Sequence, residues 1–376
     1  MSEDKRLLEI FKQLCVIPGE SFKEEEVIKY IKSFLSKYKI ESTLDYQGKK
    51  YNSKTTNLFC TINPSKKKNI KRVLLLAHTD TVATSGRIVP VRKDNFIKSK
   101  GETILGADNR AGISLFLRLV EEYYTRRLEI PEVSLLFTFG EEAGLCGTKA
   151  FNFNNIKADF AILFDHCGAF GEVVVKTPYH KRIFAEYIGK RTHAGVEPEK
   201  GVNAISIASK VINSFKFGRI DHQTVWNVGK INGGIATNVV PDLVKVDYEA
   251  RSIDKDKVDR LINRIDKKSK KIARLFKGEY KREIKKEYSG YIISNRNKYL
   301  KQVKSVMKKM GIKLKKTITC GGSDANILFE NNIPCLNMSC GIYNPHSYKE
   351  KLDITDFNLA YQFLKKFLVS FYRGTE

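Results

Sequence analysis

Long apolar runs are absent from this chain of 376 residues; none approaches the ~20 residues that cross a bilayer, so no membrane partner is expected. The first residues, Met1-Ser-Glu-Asp-Lys, are partly acidic and carry no apolar core of signal-peptide length, which argues against a secretory leader. Cysteine is sparse, with seven residues at positions 15, 60, 146, 167, 320, 335 and 340. An odd, scattered set without a Cys-x-x-Cys pair supplies neither a disulfide framework nor a thiolate zinc site, and a reducing cytoplasm is the expected compartment. Internal repeats and long low-complexity segments are also missing. Acidic residues are few beside basic ones, 42 against 67, for a net charge of +25.

That excess invites a nucleic-acid reading, and its location decides the matter. Between Arg251 and Lys316 about 24 basic residues face about 7 acidic ones, which is most of the imbalance. Val258, Leu261, Ile262, Ile265, Ile272 and Leu275 fall there at helical spacing, with the lysines largely on the complementary face, as on a solvated amphipathic helix. No RNA-binding aromatic signature, zinc finger or helix-turn-helix accompanies the charge, so no specific nucleic-acid partner is expected. The length suits about two domains with a substantial core.

Along the chain, residues 5–17 and 24–38 read as helices parted by Pro18-Gly19. Ser21-Phe-Lys-Glu24 has the spacing of a capping box for the second. Strands are expected near 40–46 and 56–62, then a basic turn at Lys66-Lys-Lys68. Val73-Leu-Leu-Leu76, Val133–Phe139 and Ala161–Phe164 are short apolar runs that read as strands buried on both faces. Gly106–Gly112 leads into a helix with Ile113, Phe116, Leu117, Val120 and Tyr124 on one face. From about 178 the order becomes strand (Arg182–Ile188), helix (Asn203–Phe215), two strands (Thr224–Ile231, Leu243–Ala250), helix (Lys255–Phe276) and strand (Glu279–Tyr288). This βαββαβ order predicts a small α+β insert. After about 290 the α/β pattern resumes, with helices at 294–310 and 354–372, a strand ending at Cys320 and a strand at Pro334–Met338. The expected organisation is an α/β catalytic domain at 1–177 and 290–376, with a mixed sheet between helices, interrupted by an α+β domain at 178–289.

The apolar strands end in metal-ligand types. His78 and Asp80 follow the first and, two apart in extended chain, point to one side, so the carboxylate can orient the imidazole. Glu141-Glu142 follow the second and Asp165 the third. Asp108 sits in the Gly-rich turn and His346 in the loop Gly341-Ile-Tyr-Asn-Pro-His346. Two His, two Asp and one or two Glu make an N/O set suited to zinc, cobalt or manganese. For one ion the set is over-supplied; two ions sharing a carboxylate, about 3.5–4 Å apart in such pairs, fit it better. His166, next to Asp165 in extended chain, points the other way, and Cys167 reads as a buried small residue.

These motifs, in this order, resemble the co-catalytic dizinc exopeptidases that include peptidase T, carboxypeptidase G and the aminoacylases. Gly233-Gly-x-x-x-Asn238-x-Val-Pro241 and Gly321-Gly-Ser-Asp324-Ala-Asn326 resemble its peptidase T-like branch in particular. The resemblance implies a zinc-exopeptidase fold holding two divalent ions, zinc first, with His78 and Asp165 on one, Glu142 and His346 on the other, and Asp108 bridging. It implies Asp80 behind His78 and Glu141 as the general base that takes the water's proton and passes it to the leaving amine. The insert becomes a lid in which Arg191-Thr-His193-Ala-Gly195 supplies an oxyanion-stabilising histidine, often from a partner subunit, which makes a homodimer through the lid reasonable. Asn238 and Arg251 match lid positions that touch substrate, Arg251 as a fork on a free carboxylate; Gly321 and Gly322 permit close backbone approach.

The activity so implied is that of a metal-dependent aminopeptidase, tripeptidase-like, acting on short peptides. Hydrolysis of N-acyl amino acids and carboxypeptidase action share the same centre and stay open, as does a non-enzymatic polyanion-binding or scaffold role. The family commonly has a second Asp where Asn109 stands, and often a cis peptide after the bridging Asp.

Overall fold

Leu7, Leu8, Ile10, Phe11 and Leu14 recur at helical spacing and form the buried face of helix Lys5–Cys15 in the computed structural model, which describes residues 3–64, 71–216 and 218–373. Asp4 caps this helix, its side chain accepting from the Leu7 N–H at 3.0 Å, a bond whose loss costs about 0.5–2 kcal/mol. The basic turn expected at Lys66-Lys-Lys68 lies outside the described residues. No described helix is long and apolar enough to cross a membrane. The chain divides into two units, one of residues 1–175, 293–317 and 323–376, the other of 176–292 and 318–322. The second therefore also takes in a short loop from the C-terminal third.

The first unit is built on a mixed eight-stranded sheet. Its order is Ser42–Leu44, Leu58–Ile62, Glu132–Thr138, Arg72–His78, Phe160–His166, Cys335–Ser339, Glu172–Lys176 and Lys315–Ile318. Glu132–Thr138, Arg72–His78, Phe160–His166 and Cys335–Ser339 run parallel to one another. Their apolar runs are buried almost without interruption, as central parallel strands require. Helix Ala107–Arg126 packs on the two middle strands and against Lys5–Cys15 and the closing helix Ile354–Arg373. Tyr124 departs from the expected buried face and is 41% exposed near the helix end. Strand Glu172–Lys176 and the four-stranded sheet of Ile342–Tyr343, Lys351–Asp353, Phe96–Ser99 and Pro90–Lys93 were not expected; the first is a short run of three buried valines, and the strands of the small sheet are short and mostly half-exposed, so period-2 patterning is weak.

The capping box expected at Ser21 does not form. Helix Glu25–Ser36 starts later, with Glu24 at its N-cap and no side-chain capping bond. Ser21 instead donates to Asp80 at 2.6 Å, and Glu24 accepts from the N–H groups of Phe22 and Gly140, each at 2.9 Å. Tertiary partners, Asp80 for Ser21 and Gly140 for Glu24, take part in place of the expected box, beside the local Phe22 N–H.

The second unit is a five-stranded antiparallel sheet in the order Gly218–Asp221, Thr224–Gly233, Leu243–Ser252, Tyr179–Ile188, Glu279–Tyr288. Gly218–Asp221 is one strand more than βαββαβ allows. Alternate residues, Ile183, Ala185 and Tyr187 on one strand and Val244, Val246, Tyr248 and Ala250 on its neighbour, form one core with helices Ala204–Ile212 and Lys255–Leu275. Val258, Leu261, Ile262, Ile265 and Ile272 face that core, whereas Lys267, Lys268, Lys270 and Lys271 are exposed. Leu275, last in the pattern, is 74% exposed.

Candidate metal centre

Topology brings the centre together. Glu132–Thr138, Arg72–His78 and Phe160–His166 are neighbours in the sheet and run parallel, so their C-terminal ends open at one edge. There the first leads into Glu141-Glu142, the second ends at His78, and the third carries Asp165. Asp108 lies in the first turn of Ala107–Arg126, where Asp108 and Asn109 depart from helical geometry and the peptide between them is cis. His346 comes from the loop between Ile342–Tyr343 and Lys351–Asp353.

His78 Nε2 lies 3.1 Å from Asp108 Oδ1 and 3.2 Å from Asp165 Oδ1. His346 Nε2 lies 2.7 Å from Glu142 Oε1 and 3.3 Å from Asp108 Oδ2. Two groups of ligand types, each with its ligand atoms within 4.8 Å of one another, are therefore His78, Asp108, Asp165 and Asp108, Glu142, His346. They share Asp108, one oxygen turned to each histidine. A third such group, His78, Glu141 and Glu142, puts Glu141 beside both.

Asp80 is fully buried and does more than face His78. Its Oδ1 is 3.3 Å from His78 Nδ1, which also meets the Asp80 carbonyl at 3.0 Å. The same carboxylate accepts from the backbone N–H groups of Glu141 at 2.9 Å and Glu142 at 3.1 Å. One side chain thus ties the His78 strand end to the Glu141-Glu142 turn.

Burial and mutual contact shift these side chains from their ordinary values. Burial pulls the His78 imidazole down, but its bonds to Asp108, Asp165 and Asp80 outweigh this and hold it well above its ordinary value. Bonds to Asp108 and Glu142 raise His346 to about 10. Burial raises Asp108, yet His346 and His78 bring it net below the usual carboxylate range. Burial, with repulsion from Asp108 against a bond from His78, raises Asp165 to about 7. Glu141 and Glu142 are also pushed up, first by burial. Carboxylates crowded this way hold protons that a divalent ion can replace, and the N/O donor set fits zinc, cobalt or manganese without a thiolate.

Asn109 shows why an amide serves where a second Asp is common. It is 1% exposed, donates to Asp165 Oδ1 at 2.9 Å and accepts from the Gly112 N–H at 2.9 Å. A carboxylate there would repel Asp165. His166 turns to Glu172, 3.6 Å away, outside the cluster. Cys167 is exposed, not buried, because the chain leaves the sheet after His166.

Three buried charged residues stand close to this centre, of which Arg110 and Glu350 were not singled out in the sequence and Asp324 only as part of the Gly321–Asn326 motif. Arg110, 1% exposed, donates to the carbonyls of Thr79 and Ile17, gripping the turn between His78 and Asp80; burial lowers it to about 10. Asp324 accepts from the hydroxyls of Thr138 and Thr148. Glu350 accepts three backbone N–H bonds from residues 105, 106 and 108. Arg110 offered a weak signal, a basic residue inside the Gly-rich turn that leads into an apolar helix; Glu350, in a polar loop, offered none.

The other singled-out residues belong to the second unit. His193 is exposed, its Nδ1 accepting from the Gly195 N–H at 3.2 Å, and its loop pairs with that of Asn238 through Ala194 N–H to Asn238 O at 2.9 Å. Asn238 is exposed. Arg251 pairs with Glu249 at 3.1 Å, and Glu249 also meets His180 at 3.2 Å; the His180 bond comes first in holding that carboxyl down at about 2. Gly321 donates to Thr319 Oγ1 at 2.9 Å. At Gly322 a β-carbon would run into the Tyr288 ring.

Comparison with known proteins agrees with this architecture. Residues 183–276 match the peptidase dimerisation domain of the M20 family, and residues 42–224 match M42 glutamyl aminopeptidase. The uncharacterised protein YqjE of Bacillus subtilis is 33% identical over 360 residues, 95% of each chain. The aminopeptidase PepT of Bacillus cereus superposes with a TM-score of 0.85 at 30% identity, covering 98% of both chains. A tripeptidase of Staphylococcus aureus does so with 0.89 at 30%, also over 98% of both.

Proposed function

The chain belongs to the M20 family of peptidases, and from that premise we propose that it is a metal-dependent aminopeptidase, tripeptidase-like, that removes N-terminal residues from short peptides. The observation that carries the proposal is the pair of ligand groups joined at Asp108, with Glu141 beside them. His78 and Asp165 would hold one divalent ion, Glu142 and His346 the other, and Asp108 both. When bound, such ions supply Lewis acidity to a water and to the amide carbonyl. Glu141 takes the proton of the attacking water and returns it to the leaving amine. Burial raises its affinity for a proton. Asp80 keeps the His78 ring in orientation and the Glu141-Glu142 turn in place.

Zinc is the proposed ion. His193 is proposed to stabilise the oxyanion, and Asn238, Arg251, Gly321 and Gly322 to hold substrate, on the family resemblance of their motifs. The dimerisation-domain match supports a homodimer assembled through that domain, and seven unpaired cysteines suit the cytoplasm.

The test is a hydrolysis panel of metal-loaded protein with and without chelator: a tripeptide, its N-acetylated form, a dipeptide and an N-acyl amino acid. Chelator-sensitive cleavage of the free tripeptide, lost on acetylation, is the expected result. Cleavage of only the acylated substrates replaces the aminopeptidase by an aminoacylase or carboxypeptidase.

A further inference from the structure

Glu350 has no part in the reaction assigned above, yet it is 2% exposed and three backbone N–H groups converge on its carboxylate. Oε2 accepts from Leu105 and Gly106, both at 2.8 Å, and Oε1 accepts from Asp108 at 3.2 Å. A buried carboxylate is costly unless such charge-assisted bonds satisfy it. A glutamine of the same shape would keep one acceptor oxygen and turn its NH2 toward the N–H on the other side.

The backbone of the turn these bonds grip is not regular helix. Gly106, at the start of helix Ala107–Arg126, is left-handed with φ +70° and offers no side-chain cap, and Asp108 and Asn109 are not helical. The N–H groups of this turn at 105, 106 and 108 are met from outside, by Glu350, while the Asn109 side chain takes that of Gly112. The residue so held is Asp108, the one carboxylate common to both ligand groups. Glu350 also follows His346 by four residues, and its own N–H closes a turn onto the Ser347 carbonyl at 3.0 Å. One short segment thus carries a ligand for one group and the clamp for the ligand both groups share.

We propose that Glu350 is a positioning residue for the metal pair, fixing the 105–108 backbone so that the Asp108 carboxylate is aimed at both ions at once. The inference rests on the dimetal reading above. A purely structural Glu350 would support folding alone and leave ion affinity per folded molecule unchanged.

Zinc titration of the apo protein against a competing chelator, with thermal melts of the same samples, separates the two for wild type, Glu350→Gln, Glu350→Asp and Leu352→Ala. Leu352 is a fully buried core residue of the same segment and controls for stability. Wild type is expected to take two equivalents, and Glu350→Gln to hold both about 10–100-fold more weakly, the usual cost of losing support behind a ligand. Glu350→Asp keeps the charge but falls one methylene short; it should shift affinity the same way and covers the case in which the glutamine variant does not fold. Leu352→Ala should lower the melting temperature without that loss of zinc. Wild-type affinity in a folded Glu350 variant overturns the proposal, as does an equal affinity loss in Leu352→Ala. Wild type that takes up fewer than two zinc ions overturns the dimetal reading itself, and the clamp's role with it.

Discussion

In the first unit, His78, Asp80, Arg110, Asp324 and Glu350 are each no more than 2% exposed, held by one another, by hydroxyls or by backbone. In the second, the core is aliphatic and aromatic, and most charge sits on the outer face of Lys255–Leu275 and in pairs such as Lys245–Glu186, 61% and 38% exposed, although Asp266, Glu287 and His180 are buried. Charge buried at a parallel sheet edge is expensive and persists only where partners or cations compensate it. Charge on a solvated surface costs almost nothing and says little about function. The +25 balance of this chain is therefore a poor guide to its chemistry, while a handful of buried carboxylates is a good one.

The sharpest way to test that contrast is inside the centre. Glu141→Gln should lower kcat about 10²–10⁴-fold, the range of general acid–base catalysis, with two metals still found by elemental analysis. Metal lost together with activity would make Glu141 a ligand and not the base.

An intermediate effect is expected from removing the metals. Without metal, bonds to Asp108 and Glu142 raise His346 to about 10 and burial raises Asp165 to about 7, both above their ordinary values. Each folded-state value is raised, so each contributes stability that is fully present below its unfolded pKa and lost as pH rises through the folded one. The apo protein should thus melt at lower temperature as pH rises from about 4 towards 10. Metal displaces these protons, so the loaded protein should show a flatter dependence over the same range. Melts of both forms across that range decide it; equal slopes would mean that the buried charges are not coupled to an ion.

The smallest effect belongs to the surface. Lys245→Ala removes the 2.9 Å pair with Glu186 across neighbouring strands and should change unfolding free energy by less than about 1 kcal/mol in urea titration. A loss several times larger would break the contrast drawn between the two units.

Much of the fold was legible because local patterns agreed with tertiary ones. Val73-Leu-Leu-Leu76 reads as a doubly buried strand and is one, and the 3.6-residue spacing of Val258 to Ile272 reads as an amphipathic helix and is one. Misreadings occurred where a tertiary partner outbid a local one. Ser21 had the spacing of a capping box, in which its Oγ would accept from a backbone N–H, but the side chain turns to donate to the buried Asp80 carboxylate and the helix starts only after Glu24. The short strands of the small sheet, such as Lys351–Asp353, have too few residues to show a period.

By itself the sequence determined which residue types stand at the ends of which apolar runs, because strand burial is written in consecutive apolar residues and the polar residue that follows must lie at a sheet edge. From that came His78, Glu141, Glu142, Asp165, the Gly-rich turn with Asp108, and the family to which they point. Tertiary structure alone decided which of these ends are neighbours, that Asp108 turns one oxygen to each histidine, and that Glu350, from nearly 250 residues away in sequence, grips the turn beneath it. Periodicity records whether a side chain is buried. What it is buried against depends on strand order and loop path, which no local window contains.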